Sequence, residues 1–287
     1  MKKFLIAVSA LTMLGGAAMS SAQASPSEDL KQLRAYYFKK FPGVKLQDYA
    51  NGIYALDAAR RFEWEAMEEF PPYEDAIEMG KELFAKYGLA KCFKNGGIAI
   101  KQHYPYWDKK TQQVRTLEQD INACIVKNGH KKLKWKKGKL AAISAYMAYT
   151  SRGKPTSVVI DDSPASLAAY NQGKTFFYAK RGQLNMACAD CHIYNPGMMI
   201  RGNLLSPALG HTTHWPAWRR KWANKAAAKG KSGPLSGLGT LQRRYSGCNK
   251  QVRAKPQKAQ GEAYRNLEYF HTFLSNGIKL NGPAVRQ

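Results

Sequence analysis

Five consecutive residues, Cys188-Ala189-Asp190-Cys191-His192, constrain this chain more than any other stretch. Two thiols at that spacing can add to the two vinyl groups of a haem, and a histidine directly after the second can reach the iron. A zinc knuckle is the competing metal reading, but it needs a second pair of cysteines and none lies nearby. The expectation is one covalent haem c, held by Cys188 and Cys191 with His192 as an axial ligand. The residues beyond His192 should then build the pocket of a flat cofactor.

The N-terminus agrees with that chemistry. Met1-Lys2-Lys3 is positive, residues 4–18 are apolar and small, and Ala22-Gln23-Ala24 has the small-x-small pattern of a cleavage site. Residues 1–24 therefore read as a secretory signal cleaved near Ala24, with the mature chain in the periplasm, where haem c is attached and disulfides persist. No later stretch is long enough for a membrane span. Formal charge is +25, and removing Lys2 and Lys3 leaves 25 minus 2, or +23. A balance so basic points to anionic partners. Nucleic acid is disfavoured, because an exported protein seldom meets it and no nucleic-acid module is present.

An internal repeat sets the architecture. Gly80-Lys81 with Phe84 recurs as Gly173-Lys174 with Phe177, each followed by a cysteine. Ala145-Tyr146-Met147 leads to Ser151-Arg152-Gly153 as Tyr269-Phe270-His271 leads to Ser275-Asn276-Gly277. Helix, cysteine, long loop, aromatic helix and Ser-x-Gly thus occur twice, the mark of a duplication. The reading is mainly α, two tandem cytochrome c-like domains: a helical extension over 25–75, a first domain over 76–153 and a haem domain over 154–287. In the extension, Leu30, Leu33, Tyr37 and Phe41 make one apolar stripe and Ala59, Phe62, Ala66 and Phe70 a second, ended by Pro71-Pro72. Both read as a packed lead-in to the first domain. Helices are expected over 139–149, about 166–179 and about 262–274. The glycine-rich region between His192 and the last helix is expected to be irregular.

In the first copy the haem motif is broken: Cys92-Phe93-Lys94-Asn95-Gly96 has asparagine where the second thiol belongs and glycine where the histidine belongs. Cys92 and Cys124 are the only cysteines left there, and in an oxidising compartment they are expected to form a disulfide. Residues 127–139 carry seven lysines around Trp135, read as a solvated basic face.

The iron's second ligand is less determined. No methionine follows Met199, and Met198 and Met199 lie too near His192 in sequence to cross the ring. His211, His214, Cys248 and His271 remain, although the apolar spacing of the last helix places His271 off its packed face, exposed or hydrogen-bonded. Cys248 is the odd cysteine, and Arg243, Arg244, Lys250 and Arg253 around it favour a thiolate. Between Asp190 and Glu262 there is no acidic residue at all, which argues for an anion-binding pocket beside the haem. If the segment is an extended loop, Arg243 and Arg244 point to opposite sides, and which faces inward stays open.

Arg244-Tyr245-Ser246-Gly247-Cys248-Asn249 with Val252-Arg253-Ala254, then His214-Trp215-Pro216, then Cys188 to His192, resemble the SoxA family, the cytochrome subunit of the SoxAX complex of bacterial sulfur oxidation. The departure at Asn95 and Gly96 resembles its single-haem members. The resemblance implies an L-cysteine S-thiosulfotransferase in which Cys248 is both distal iron ligand and catalytic sulfur, often as a persulfide, and Arg244 binds substrate. It also implies a SoxX-type cytochrome partner, thiosulfate as substrate, a SoxYZ carrier protein whose cysteine receives it, and cytochrome c as electron acceptor. The alternative is a periplasmic electron carrier without substrate chemistry. A thiolate ligand, which favours ferric iron, would serve such a carrier poorly.

Overall fold

A computed structural model of the chain describes residues 24–286, and the signal-segment reading lies outside the described residues. Helix α1 (Pro26–Lys40) is started by the Ser25 hydroxyl, which accepts from the Glu28 N–H, by Pro26 in the first turn and by Glu28 and Asp29 at the positive end of the helix dipole. Its stripe buries Leu33 and Tyr37. They pack in one core built mainly from the second half of the chain, which Val114 and Trp107 join from the first. Asp29 decides this: its carboxylate takes the Tyr170 hydroxyl at 2.9 Å and the Lys174 ammonium at 2.6 Å. The expected lead-in to the first domain is thus a brace on the haem half.

The second stripe is turned outward. Helix α2 (Ala58–Glu69) stops before Pro71-Pro72 as its sequence requires, yet Phe62 and Phe70 are 76% and 87% exposed. Trp64, on the opposite face, is the buried one, stacked on Tyr54 with ring centroids 5.0 Å apart. One large ring with a flat partner outweighs four scattered apolar residues.

The duplication is visible in packing. Helices α3 (Glu74–Lys86) and α5 (Lys139–Tyr149) cross at Gly80, where an added Cβ would lie 2.2 Å from the Ala142 carbonyl oxygen. Helices α6 (Pro164–Tyr178) and α9 (Glu262–Phe273) cross at Gly173, where it would lie 2.0 Å from that of Asn266. Each repeated serine binds a loop amide of its own copy, Ser151 that of Lys101 at 3.0 Å and Ser275 that of Gly210 at 3.1 Å. Each repeated glycine sits at positive φ, +78° for Gly153 and +80° for Gly277, a conformation that a Cβ disfavours. The recurring letters are the residues that both copies need for the same backbone.

In the first copy, α4 (Leu117–Lys127) begins with a reciprocal cap between Thr116 and Gln119. The hairpin β1 (Tyr106–Asp108) and β2 (Gln113–Arg115) precedes it. Cys92 and Cys124 are joined in a disulfide with Cα atoms 5.9 Å apart, as expected. The region after His192 is more regular than expected. It holds the short pair β3 (Met199–Ile200) and β4 (Asn203–Leu204), then β5 (Ala217–Arg219), α7 (Arg220–Ala227), β6 (Leu238–Gly239) and α8 (Leu241–Gln251). The chain ends in β7 (Ala284–Arg286), which lies parallel to β5 while β6 lies antiparallel on its other side. No helix among the described residues is long and apolar enough to cross a membrane.

Where the copies meet, two carboxylates are buried. Glu118 accepts from the Ser144 hydroxyl at 2.8 Å, and Glu268 from the Gln242 amide at 2.9 Å. Burial first, and then Glu118, push the Glu268 carboxyl well above its ordinary range, with Lys101 opposing. The folded chain therefore keeps a proton there that the unfolded chain has lost. Stability from this group is full below the ordinary carboxylate range and falls as pH rises toward the folded value. Denaturation across a pH series should show that decline. Glu268→Gln should flatten it, and an unchanged slope in the variant would remove Glu268 as its source.

Candidate haem and thiol site

The attachment residues lie on a short helical segment that widens into a π turn over Asp190–Tyr194. Asp190 accepts from the Ala187 N–H at 2.7 Å, which fixes the start of the turn that carries Cys188, Cys191 and His192. The buried His192 ring has Nδ1 2.7 Å from the Ser206 carbonyl oxygen. A carbonyl only accepts, so Nδ1 carries the proton and Nε2 keeps its lone pair for a metal. Around these residues a cleft, open to solvent on one side, is walled by Phe177, Leu205, Val252 and Leu267. Cys188 and Cys191 are free thiols, and buried ring nitrogens of His211 and His271 have no partner. An apolar slot with two free thiols, one prepared imidazole and unspent polar atoms at its edge fits a c-type haem.

Cys248 faces this cleft from α8, a helix and not the extended loop expected. The helix settles the arginine question by geometry. Arg244 precedes Cys248 by four residues and so shares its face, and it lines the cleft. Arg243 turns away, its guanidinium 3.9 Å over the Trp222 ring and 2.6 Å from the Leu238 carbonyl. Arg253 lies outside, 3.3 Å from Gln183 on the surface. Leu241, Tyr245, Cys248 and Val252 recur at helical spacing and would have exposed the helix to a search for it.

Electrostatics separates the three thiols. Burial pushes Cys188 and Cys191 up to about 11. Burial also acts to raise Cys248, but Arg244 first, with the neighbouring His192 and Arg219, outweighs it and brings this thiol down to about 7. It is the most readily ionised of the three cleft thiols. In one cleft, only the residue on α8 is prepared as a sulfur nucleophile.

His271 is buried, which corrects its placement off the packed face. Its Nδ1 is 3.0 Å from the Tyr245 hydroxyl, and its ring stacks on His211 with centroids 5.2 Å apart. The helical-face argument failed because α9 is covered twice, by α6 on the Gly173 side and by the cleft on the other. Burial holds His211 and His214 well below the usual imidazole range and takes His271 down to about 3, so all three are neutral. Met198 and Met199 are 62% and 57% exposed, away from the cleft as expected. The lysine run is largely solvated, with Lys132 over the Trp135 ring at 4.4 Å. Arg219, one of the basic residues in the acid-free stretch that argued for an anion-binding pocket, is buried, and sequence reasoning passed over Arg286.

The SoxA/TsdA cytochrome c domain model matches residues 80–156, the copy that lacks the haem motif. The chain is 47% identical to the L-cysteine S-thiosulfotransferase subunit SoxA of Chlorobaculum tepidum over 99% of its length and 96% of that protein. It is 49% identical to that of Allochromatium vinosum, covering 92% of this chain and 91% of the other. A chain in the crystal structure of SoxXA from P. pantotrophus superposes with a TM-score of 0.64 at 26% identity, covering 76% of this chain and 79% of that one. Likeness in sequence that runs through both copies, and a shared fold at far lower identity, leave one conclusion: this chain belongs to the SoxA family.

Proposed function

We propose that this chain is the haem-bearing subunit of an L-cysteine S-thiosulfotransferase, which joins thiosulfate oxidatively to a cysteine of a SoxYZ-type carrier protein. The observation that carries this reading is Cys248, a thiol held low on the same helix face as Arg244 and directed at His192. Cys188 and Cys191 hold the haem, His192 and Cys248 are the residues for the iron, and Arg244 binds the substrate. When bound, the haem supplies a route for electrons toward a cytochrome c acceptor. Thiosulfate and the carrier thiol form one sulfur–sulfur bond, releasing one proton and two electrons. Cys248 offers the sulfur through which thiosulfate is handed on, and Arg244 keeps it anionic while orienting the oxyanion end.

The likeness to SoxXA supports a SoxX-type cytochrome as the partner subunit. The pattern of residues 1–24 supports export to the periplasm, and the proposed units are 25–75, 76–153 and 154–287. One haem per chain is proposed, because Asn95 and Gly96 cannot attach a second. A pyridine haemochrome assay should return one haem for each chain, and two would contradict this reading.

Arg244→Lys keeps the charge but loses the fork of two parallel hydrogen bonds. Losing such charge-assisted bonds costs about 1.5–3 kcal/mol, or about 10- to 150-fold in turnover. Thiosulfate-dependent reduction of cytochrome c, with partners present, should fall by that factor while the haem spectrum holds. Undiminished turnover would take Arg244 out of the site.

A further inference from the structure

Beside the cleft lies a second pocket, partly open to solvent, and His211 and Arg244 line both. Its other ionisable walls are Tyr54, Arg60, His214, Arg219 and Arg286, with no carboxylate among its lining residues. Arg219, Arg286 and His214 are 7%, 6% and 1% exposed. Nδ1 of His214, Nε1 of Trp215, and Nε and Nη2 of Arg286 are buried there without a hydrogen-bond partner. Glu68, the carboxylate that acts on Arg286, is already engaged by Trp64 at 3.1 Å, by the Val285 N–H at 2.7 Å and by the Tyr73 hydroxyl.

Such a set is expensive as it stands. A guanidinium removed from water without a counter-charge is destabilising, and each buried hydrogen-bonding group left without a partner adds to the cost. Burial, followed by Arg244, lowers Arg219 to about 9, the direction expected where cations face one another. The unpaired polar groups come from different parts of the chain: the 211–215 turn and β7, with Ser206 beside them on the loop that orients His192. Separate elements converging unspent polar groups, the Arg286 and Trp215 N–H donors among them, on one space is the pattern of a built binding site, not of a packing fault.

We infer that Arg286, His214 and Trp215, with Arg219 beside them, form a cradle for anionic oxygens at the edge of the haem cleft. Two sources present that chemistry: the propionate carboxylates of the haem itself, and the oxyanion end of thiosulfate. The inference rests on the proposed haem attachment at Cys188 and Cys191. In either case Arg286 and Trp215 are positioning residues, since they act on a charged group and not on the sulfur that reacts.

Arg286→Gln drops the charge while keeping an amide donor. The experiment uses the chain with its SoxX-type partner and first measures haem content, then the haem midpoint potential by spectroelectrochemistry between about pH 5 and 8, then KM for thiosulfate. A wild-type chain without haem would sink the attachment reading and leave the cradle to the thiosulfate arm alone. If the cradle holds carboxylates, the variant keeps its KM, while its potential drops and becomes pH-dependent where the wild type is flat, because a propionate freed of its cation titrates there. If it holds thiosulfate, KM rises by about 10-fold, the loss of one charge-assisted pair, and the potential stays put. A variant with unchanged potential, unchanged pH profile and unchanged KM overturns the inference. Trp215→Phe, which removes a single N–H, carries the same three readouts should Arg286→Gln fail to retain haem.

Discussion

Replacing Cys248 by alanine should leave a chain that folds and keeps its covalent haem but passes no electrons from thiosulfate. The substitution removes one half-buried sulfur that takes part in no disulfide, so its cost in stability is small. Its cost in catalysis is not. The other cleft thiols sit at about 11 and are the proposed haem attachments, which leaves no second thiol held near neutrality. Removing a sole nucleophile typically lowers turnover by about 10³-fold or more. Because Cys248 is also the proposed iron ligand, the ferric spectrum should change in the same variant. If activity vanishes and the spectrum holds, Cys248 is a catalytic thiol off the iron, and the neutral imidazoles of His211 and His271 become the residues to examine. If the spectrum changes and activity survives, the sulfur chemistry lies elsewhere and the proposed function is wrong. In the unaltered protein, intact mass should reveal a reductant-sensitive species with one extra sulfur, carried by Cys248 and missing from the variant.

How much of this could be read from residues alone depends on what each residue must do. The attachment motif was legible because its chemistry demands fixed spacing. The Ser-x-Gly repeat was legible because a left-handed glycine and a loop-binding serine have few substitutes, and both turned out to do the same work in each copy. The disulfide came from elimination in the broken motif. What failed was any inference that needed a partner surface. Ala59, Phe62, Ala66 and Phe70 have helical spacing, but spacing does not say which side of α2 meets the core, and Trp64 decided it. His271 was misplaced for the same reason, since a helix covered on two sides has no outer face to assign.

The α8 segment shows a different limit. Its side chains are mostly polar and basic, so little of the hydrophobic signal that marks a surface helix is present. The helix persists because Leu241 and Tyr245 are buried in the core of the second half while Gln242 and Asn249 spend their amides on Glu268, Tyr245 and Tyr264. A stretch that read as a loop was therefore the scaffold of the site, and only its helicity puts Arg244 beside Cys248.

Gly173→Ala should produce a large loss of stability for the addition of a single methyl group. The new Cβ would lie 2.0 Å from the Asn266 carbonyl oxygen, 2.6 Å from its carbon and 2.9 Å from Cβ of Phe270. Two of those atoms are backbone and cannot rotate away, so α9 must move off α6. Overpacking of this kind costs about 1–3 kcal/mol and at times more, which for a chain of this size lowers Tm by about 2–12 °C. Gly80→Ala meets the Ala142 carbonyl at 2.2 Å in the first copy and should cost a similar amount. The two variants should differ at the haem. Displacing α9 shifts Leu267 and His271 on the cleft wall and should alter the haem spectrum, whereas α3 and α5 contribute no residue to that cleft. Thermal melts followed both by far-UV circular dichroism and by haem absorbance separate these effects. A Gly173→Ala chain as stable as the parent would mean that the helices do not cross this closely, and the shared role assigned to the two repeated glycines would fall with it.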